Sequence, residues 1–343
     1  MTWAPILLAS PSPSLRLLVL RDLLHREGTD EEICELQSIQ DQDPFILKLL
    51  ALQEPDGSFR SGEGGGSHLG KLRTTAQALM GLGYMGLNPK HEAVQRGAEF
   101  LFKLQNEDGS WSLPSGRQLD GGAQVYTMIP LQTSLPLLGL AICGYATDSR
   151  AEKAYEWLLK RQLPDGGWPS GEKAGKMVFA AGYRRLSHTK WGCRTNTTAA
   201  VSAFAFHPKY STDSATHRGL DLLLAHETRQ THTLGFEVAR IIGIEPLRGA
   251  FTYYQRYDVA QILDLCWRIG ATLEDPRIRE NIDFVKELQG PYGLWEYPTH
   301  PEASHWITFD LLRSLSQLDT EGEWVSLEPR TRFKAYPKRK RRY

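Results

Sequence analysis

A basic stretch, GYRRLSHTKWGCRTN at 182–196, is the first place where this chain concentrates residues that can do chemistry. Its ionisable side chains precede a predicted helix; they are Arg184, Arg185, His188, Lys190 and Arg194. Cations near a helix N-terminus can bind a diphosphate, because the helix dipole and the free amides add to their charge. A basic surface loop is an equally good interpretation of the same pattern.

An aromatic stretch, FTYYQRYD at 251–258, is the second such place. It surrounds Arg256 with Phe251, Tyr253, Tyr254 and Tyr257 and ends at Asp258. Clustered aromatic faces can stabilise a carbocation, and an aspartate held among them would have a raised pKa suited to an acid or base. The alternative is ordinary aromatic packing at the start of a buried helix.

A third stretch, HPEASHWITFD at 300–310, offers His305, Trp306 and Asp310. A single histidine in such a place is more often a hydrogen-bonded structural group than a catalyst. With this reservation, the candidate catalytic residues are Asp258, His305 and Asp310. The candidate substrate-binding residues are Lys71, Arg73, Arg185, His188, Lys190, Trp191, Arg194, Tyr253, Tyr254, Arg256, Tyr257 and Trp306.

Lys71 and Arg73 come from GGSHLGKL at 65–72, which nearly spells a phosphate-binding loop. Leu72 stands where that motif needs serine or threonine, and no apolar strand precedes it. We interpret the stretch as a connection into a helix, with the two cations as candidates for a cavity wall.

A repeated unit must position these residues. LQNEDGSW at 104–111 recurs as LQEPDGSF at 52–59, RQLPDGGW at 161–168 and LQGPYGLW at 288–295, and a worn copy occupies 217–236. The glycine can adopt positive φ and end a helix, and the aromatic residue can fold back over the helix end. A unit of about 55 residues holds two helices and their connections.

The helices of each unit differ in pattern. One is amphipathic, as in AEKAYEWLLKRQ, and the other is apolar or small nearly all round, as in TNTTAAVSAFAF. The predicted inner helices are 13–26, 71–87, 125–146, 191–206, 254–270 and 304–318. The predicted outer helices are 30–52, 91–105, 150–162, 214–226 and 276–289, with one outer place filled poorly. The pattern predicts an all-α fold, an (α/α)6 toroid whose ligand cavity is lined by the first turns of the inner helices.

Composition sets wider limits. Lys plus Arg and Asp plus Glu both number 40 among 343 residues, so no nucleic-acid partner is expected. The four cysteines lack paired spacing, which fits a reducing compartment, and we expect a cytoplasmic protein. We predict one toroid domain at 1–325 and a basic tail at 326–343, whose contact with a membrane surface or a partner is left open.

Over residues 40–318 the chain resembles the prenyltransferase and squalene cyclase repeat superfamily, on the helix-Q-x-x-D-G-S-W pattern and on SHLGKLRTTAQALMGLG after the first copy. Class II cyclases of this superfamily use a D-x-D-D acid motif, for which Asp41-Gln-Asp43-Pro is the nearest string here. Its zinc-dependent transferases hold metal with aspartate, cysteine and histidine. Asp258 and His305 resemble two of these ligands, but Ala260 replaces the cysteine, so Cys193 would have to substitute. No cofactor is expected, with zinc or magnesium left open.

The resemblance implies an enzyme that cyclises or transfers an isoprenoid, or a similarly elongated apolar substrate or isoprenoid diphosphate, through a carbocation in the central cavity. One alternative is a non-catalytic toroid that binds a lipid or a peptide. Another is a sugar-active α/α toroid, which would need two carboxylates about 5–10 Å apart.

Overall fold

A ring of inner helices forms the framework of the computed structural model, which describes residues 2–60, 68–111, 129–173, 176–177, 184–225, 232–245 and 257–328. In these ranges the inner helices are α2 (Pro13–Leu18), α5 (His68–Tyr84), α7 (Pro130–Leu140), α9 (Arg194–Ala205), α12 (Val259–Ile269) and α14 (Pro301–Leu318). π-Helical turns at Val19–Leu23 and Ala141–Tyr145 extend α2 and α7. The predicted all-α toroid is confirmed.

The outer layer wraps the inner ring. Its helices are α1 (Trp3–Leu8), α3 (Glu31–Ser38), α4 (Pro44–Leu50), α6 (Glu92–Lys103), α8 (Ser149–Leu159), α10 (Ser214–Leu224) and α13 (Pro276–Leu288). Short pieces complete the described chain: 3₁₀ turns at Gln40–Gln42 and Tyr210–Thr212, helix α11 (Phe236–Ile241), an antiparallel pair β1 (Glu172–Lys173) and β2 (Lys176–Met177), and a parallel pair β3 (His232–Thr233) and β4 (Tyr257–Asp258). Within the described ranges, no helix has the length and apolar character needed to cross a bilayer.

Burial separates the two layers as the sequence pattern predicts. Every residue of α9 is buried, whereas α8 buries one face, with Ala151, Ala154 and Tyr155 among its buried residues. An inner helix is covered by neighbours within the ring and by outer helices behind it, so it carries small and apolar residues on all sides.

The outer helix predicted at 30–52 is wrong as a single element, since α3 and α4 are separate helices. Asp43 accepts a hydrogen bond from the backbone nitrogen of Phe45 and caps α4, which begins at Pro44. Its other carboxylate oxygen accepts from the hydroxyl of Ser12, the N-cap of α2. Asp43 therefore links the start of inner helix α2 to the start of outer helix α4.

The glutamine of each of the first three repeat motifs joins two outer helices. Gln105 follows α6, and its Nε2 donates to the carbonyls of Gly109, 2.8 Å away, and Arg150 at the start of α8, 2.9 Å away. The same bridge runs from Gln53 to Ala93 and from Gln162 to Ala215. The side chain therefore closes the turn that follows its own helix and links that turn to the start of the next outer helix.

The aromatic residue of the motif joins an outer helix to an inner helix. The indole nitrogen of Trp111 donates to the carbonyl of Leu101 in α6 at 2.7 Å, and its backbone nitrogen donates to Thr133 Oγ1 in α7 at 3.1 Å. Equivalent backbone bonds join Phe59 to Thr75, Trp168 to Thr197 and Trp295 to Thr308. Each motif therefore fixes an inner helix against its outer neighbour.

The poorly filled sixth outer place is taken by α1. The motif glycines pack on the next outer helix: Gly57 on Arg96, Gly109 on Lys153 and Gly166 on Arg218. In the fourth copy a Cβ added to Gly293 would lie 3.7 Å from Cβ of Trp3 in α1. The two ends of the described chain thus meet and close the ring.

We expect Gly109→Ala to destabilise the ring more than Gly270→Ala. Both glycines have positive φ, +90° and +81°, so both substitutions carry backbone strain of about 1–2 kcal/mol. Only at position 109 would the new Cβ also meet backbone, 2.5 Å from the Lys153 carbonyl oxygen, whereas at 270 it meets nothing within 4 Å. Urea unfolding measures the difference, and equal losses would contradict the close packing of the motif.

Candidate functional site

A central cavity lies between the inner helices, with a volume of about 70 Å³. Its wall comes from α5, α7 and its π-helical extension, α9 with the following Phe206, α11, α12 and α14. The lining residues include Met80, Tyr84, Leu138, Ile142, Ser202, Phe206, Glu237, Val238, Ile241, Gln261, Asp264, Leu265, Arg268, Asp310 and Arg313. Aliphatic side chains and a small group of charges therefore share one enclosed space.

The position of this cavity differs from the sequence-based prediction. The first turns of the inner helices were expected to line it, whereas Tyr84, Phe206 and Arg268 come from the last turns of their helices or from just beyond them. Helix α11, which the sequence did not predict, is the reason. It packs on α12 and α14 and also on α5, so it crosses the bore and leaves the cavity on one side.

The contacts of α11 are close at both ends. A Cβ added to Gly235, just before the helix, would lie 2.5 Å from side-chain atoms of Ile307 in α14. A Cβ added to Gly81 in α5 would lie 3.0 Å from the carbonyl oxygen of Ile241. The absence of side chains at these two glycines lets the helix sit tightly across the ring.

Asp310 is the central acid of the cavity and is almost fully buried. Its Oδ1 accepts hydrogen bonds from Arg313 Nη2 at 2.6 Å and from the Tyr84 hydroxyl at 3.2 Å. Arg313 Nη2 also lies 3.3 Å from Asp264 Oδ1, and Asp264 Oδ2 accepts from Arg268 Nε at 2.8 Å. Two carboxylates and two guanidinium groups form one network.

The two carboxyl groups of this network differ in pKa. Burial raises the pKa of Asp310 to about 7, although the charge of Arg313 opposes the shift. Burial also opposes ionisation of Asp264, but Arg268 and Arg313 outweigh it and lower the pKa of that carboxyl. Environments that separate two carboxyl pKa values assign one group as proton donor and the other as a fixed charge. Asp310 can therefore hold a proton near neutral pH while Asp264 stays ionised.

Aromatic rings stand beside this acid. The ring centroids of Tyr84 and Trp306 are 5.8 Å apart, and Trp306 also meets Phe45 edge-on at 6.3 Å. Trp306 is buried. The sequence-predicted pair Trp306 and Asp310 is thus brought together with Tyr84, and the aromatic faces supply negative potential close to the acid.

Asp258 is occupied as a capping group. Its carboxylate accepts hydrogen bonds from the backbone nitrogens of Gly235 at 2.9 Å, Glu237 at 2.8 Å and Ala260 at 3.1 Å. Burial raises its pKa, and these backbone bonds oppose the rise. This geometry favours a structural role, in which Asp258 holds the starts of α11 and α12 together.

The remaining aromatic and histidine candidates lie in several environments. The Tyr257 hydroxyl accepts a 2.9 Å hydrogen bond from Asn281 in outer helix α13, so it faces the interface between the helix layers. His305 is half-buried in α14, and burial lowers its pKa. It lies five residues before Asp310, which is about 140° around the helix. The candidates Tyr253, Tyr254 and Arg256 lie outside the described residues.

The candidates from the basic stretch at 182–196 lie in two environments. Arg194 is buried at the start of α9, with its guanidinium 5.5 Å from the ring centre of Tyr257. Arg185, His188 and Lys190 line an open surface depression, with Trp191 partly buried next to it in the chain.

In the second inner helix, α5, Lys71 forms an ion pair with Asp56 of the first motif at 3.2 Å. Arg73 follows in the same helix and is partly buried.

The weak zinc candidates do not form a metal cluster. Cys193 caps α9, and its sulfur accepts from Asn196 Nδ2 at 3.2 Å, while Asp258 caps α12. In the part of the chain that the structure describes, no group of three or more His, Cys, Asp or Glu side chains is placed to hold a metal ion.

Sequence reasoning missed most of the acid network. Tyr84, Asp264, Arg268 and Arg313 were not candidates, although polar residues at i, i+3 and i+4 in helices covered on both sides were a usable signal. Buried charges need partners, so an Asp-x-x-x-Arg and an Asp-x-x-Arg in two inner helices indicate a shared buried network.

Comparison with known proteins agrees with the repeat pattern. Residues 36–188 match the family described as squalene-hopene cyclase C-terminal domain. Squalene--hopene cyclase of Zymomonas mobilis is 32% identical over 133 residues, which are 37% of this chain and 19% of that protein. Lanosterol synthase of Candida albicans is 31% identical over 93 residues, 26% of this chain and 13% of that protein. The chain therefore matches less than a fifth of the length of these relatives.

Solved structures also resemble the chain. The type II terpene cyclase MstE from Scytonema is 17% identical, with a TM-score of 0.47, and the alignment covers 82% of this chain and 73% of that one. Together with the four repeat motifs, the family match over residues 36–188 and the two curated relatives support a place for this chain in a squalene cyclase-like superfamily.

Proposed function

We propose that this protein is a terpene cyclase-like enzyme that acts on an apolar isoprenoid in the central cavity. One observation carries the proposal: Asp310 is a buried carboxyl group with a pKa raised to about 7, and it lies beside Tyr84 in the cavity. An acid that is protonated near neutral pH can donate to a carbon–carbon double bond. The family match and the names of the two curated relatives support an isoprenoid as the substrate class.

The reaction would start with proton transfer from the Asp310 carboxyl to a terminal double bond. The π electrons form the new C–H bond and leave a tertiary carbocation, which neighbouring double bonds attack in turn. Loss of a proton to a base, or addition of water followed by proton loss, ends the cascade. Tyr84 and Trp306 would stabilise the cation through their ring faces, and Arg313 would balance the carboxylate that remains.

The cavity as observed is too small for an isoprenoid chain. A volume of about 70 Å³ holds a few water molecules, whereas sites for small molecules have about 300–1,000 Å³. An elongated isoprenoid therefore requires the bore to open. Arg185, His188 and Lys190 remain the proposed contacts for a diphosphate, if the substrate carries one.

Product formation should fall as pH rises above about 7. The raised pKa of Asp310 means that the donor is protonated below this value and is lost above it. We expect turnover to drop by about tenfold for each further pH unit. Glu237 also has a pKa raised to about 7 by burial, so Glu237→Gln is the control. The fall in turnover above about pH 7 should persist in that variant, and its disappearance would assign the titration to Glu237.

The function itself is tested by incubating the purified chain with squalene, geranylgeraniol and geranylgeranyl diphosphate, with and without a chelator, and analysing extracted products by mass spectrometry. Cyclic isomers of the added substrate would support the proposal. Binding without any product would favour the non-catalytic toroid, and loss of activity with chelator would point to a metal-dependent transferase.

A further inference from the structure

Helix α11 separates two spaces. On its outer side, Leu234 and Phe236 form part of a surface groove of about 620 Å³ whose other wall comes from residues 288–299. On its inner side, Glu237, Val238 and Ile241 line the central cavity. One six-residue helix is therefore the partition between an apolar groove and the proposed acid.

Both ends of this partition are glycines in the left-handed region. Gly235 has a φ of +76° and Gly243 has a φ of +75°. A Cβ added at Gly243 would meet nothing within 4 Å, so the backbone has room on that side. Glycines that bound a short element are suitable hinges because they can pass between left-handed and right-handed conformations.

The charges of α11 also permit movement. Glu237 and Arg240 are buried and form an ion pair with each other, and the Arg240 guanidinium lies 5.5 Å from the ring centre of Phe236. The helix carries this charge pair within itself, so it can leave the bore without separating opposite charges. Asp258 anchors it through the backbone nitrogens of Gly235 and Glu237.

We propose that α11 is a gate that swings on Gly235 and Gly243, and that an elongated isoprenoid chain enters from the groove by displacing it. Its removal joins the groove to the cavity, and the chain then reaches Asp310 and Tyr84 along the space that α11 vacates. The identity of the entering chain rests on the proposed function, whereas the movement of the helix does not.

The first test compares Gly243→Ala with Gly270→Ala. Alanine disfavours the positive φ that the closed gate requires, so Gly243→Ala shifts the protein towards open conformations. We expect association of a dansyl-labelled farnesyl chain, followed by stopped-flow fluorescence, to be about fivefold faster than in the unmodified protein. Gly270→Ala introduces the same residue at the same kind of φ, away from α11 and also in open space, and should leave the rate unchanged. Equal rates in the two variants, or no uptake of the probe, would overturn the proposal.

The second test is hydrogen exchange with the probe bound. The backbone nitrogens of Ala239 and Ile242 donate to the carbonyls of Gly235 and Val238 at 3.0 and 3.1 Å. A six-residue helix is not stable without packing, so α11 should lose this protection by at least about tenfold once it is displaced in the complex, while the amides of α9 keep theirs. Unchanged or increased protection of α11 in a saturated complex would contradict displacement.

The two proposals fail separately in these experiments. Probe binding with loss of α11 protection, but with no cyclic product from any isoprenoid, would support the gate and contradict the proposed function. Turnover that depends on Asp310 while α11 stays protected in the complex would support the proposed function and contradict the gate.

Discussion

Asp310→Asn should abolish product formation in a protein that still folds. Asparagine keeps an oxygen that can accept from Tyr84 and Arg313, but it cannot donate the proton that starts the reaction. Loss of a positioned general acid costs about 10²–10⁴-fold in rate, and we expect the upper part of that range because protonation starts the whole sequence of ring closures. Substrate consumption and product mass measure the loss, and thermal unfolding reports whether the ring is intact.

Three further variants make this result specific. Asp283→Asn makes the same change on the exposed face of outer helix α13. It should leave both the stability and the turnover rate unchanged. Asp310→Glu keeps a carboxylic acid and should retain measurable turnover. Asp258→Asn removes a charge that caps two helices, so it should lower stability more than chemistry. The contrary result is an Asp310→Asn protein that folds and has normal turnover, together with an Asp258→Asn protein that folds but is inactive. That result would identify Asp258 as the proton donor.

Trp168→Ala should strongly destabilise the ring. Trp168 is fully buried, its indole nitrogen donates to the Leu158 carbonyl at 2.9 Å, and its ring lies 5.8 Å from that of Phe204. Removing a buried tryptophan costs about 3–5 kcal/mol because the neighbours cannot fill the space. The measurement is the free energy of unfolding in urea, from a change in midpoint at unchanged slope.

Two controls separate the parts of this effect. Trp168→Phe keeps a ring but loses the indole hydrogen bond, and should cost less than the alanine variant. Trp191→Ala removes a partly buried tryptophan outside the motifs and should also cost less. A loss below about 1 kcal/mol for Trp168→Ala would mean that the motif does not fasten the layers, since such values are typical of sites that carry little packing.

The ring could be predicted from the sequence because its determinants are local and repeated. Gln105, Gly109 and Trp111 act within one turn, and each later copy reports the same turn again. The helix periods then assign inner and outer layers. The sixth outer place could not be assigned, because α1 reaches it from the other end of the chain and carries no repeat motif of its own, so only the structure reveals its contact with Gly293.

The site was predicted only in part. Trp306 and Asp310 were identified from their places in an inner helix, and the structure brings them together with Tyr84. The sequence around Asp258 fitted either a helix start or an aromatic pocket. In the structure Asp258 is the N-cap residue of α12, so the geometry favours the helix start. Helix α11 escaped prediction because six residues are too few to establish a helical period, and its position depends on the space left by Gly81.

A crystal structure of the Asp310→Asn protein with geranylgeraniol would test the account most directly. We predict that the chain lies inside the ring, with its terminal double bond against Asn at position 310 and against Tyr84, and with α11 moved out of the bore. Geranylgeraniol bound only on the outer surface, with α11 still in place between α12 and α5, would contradict it.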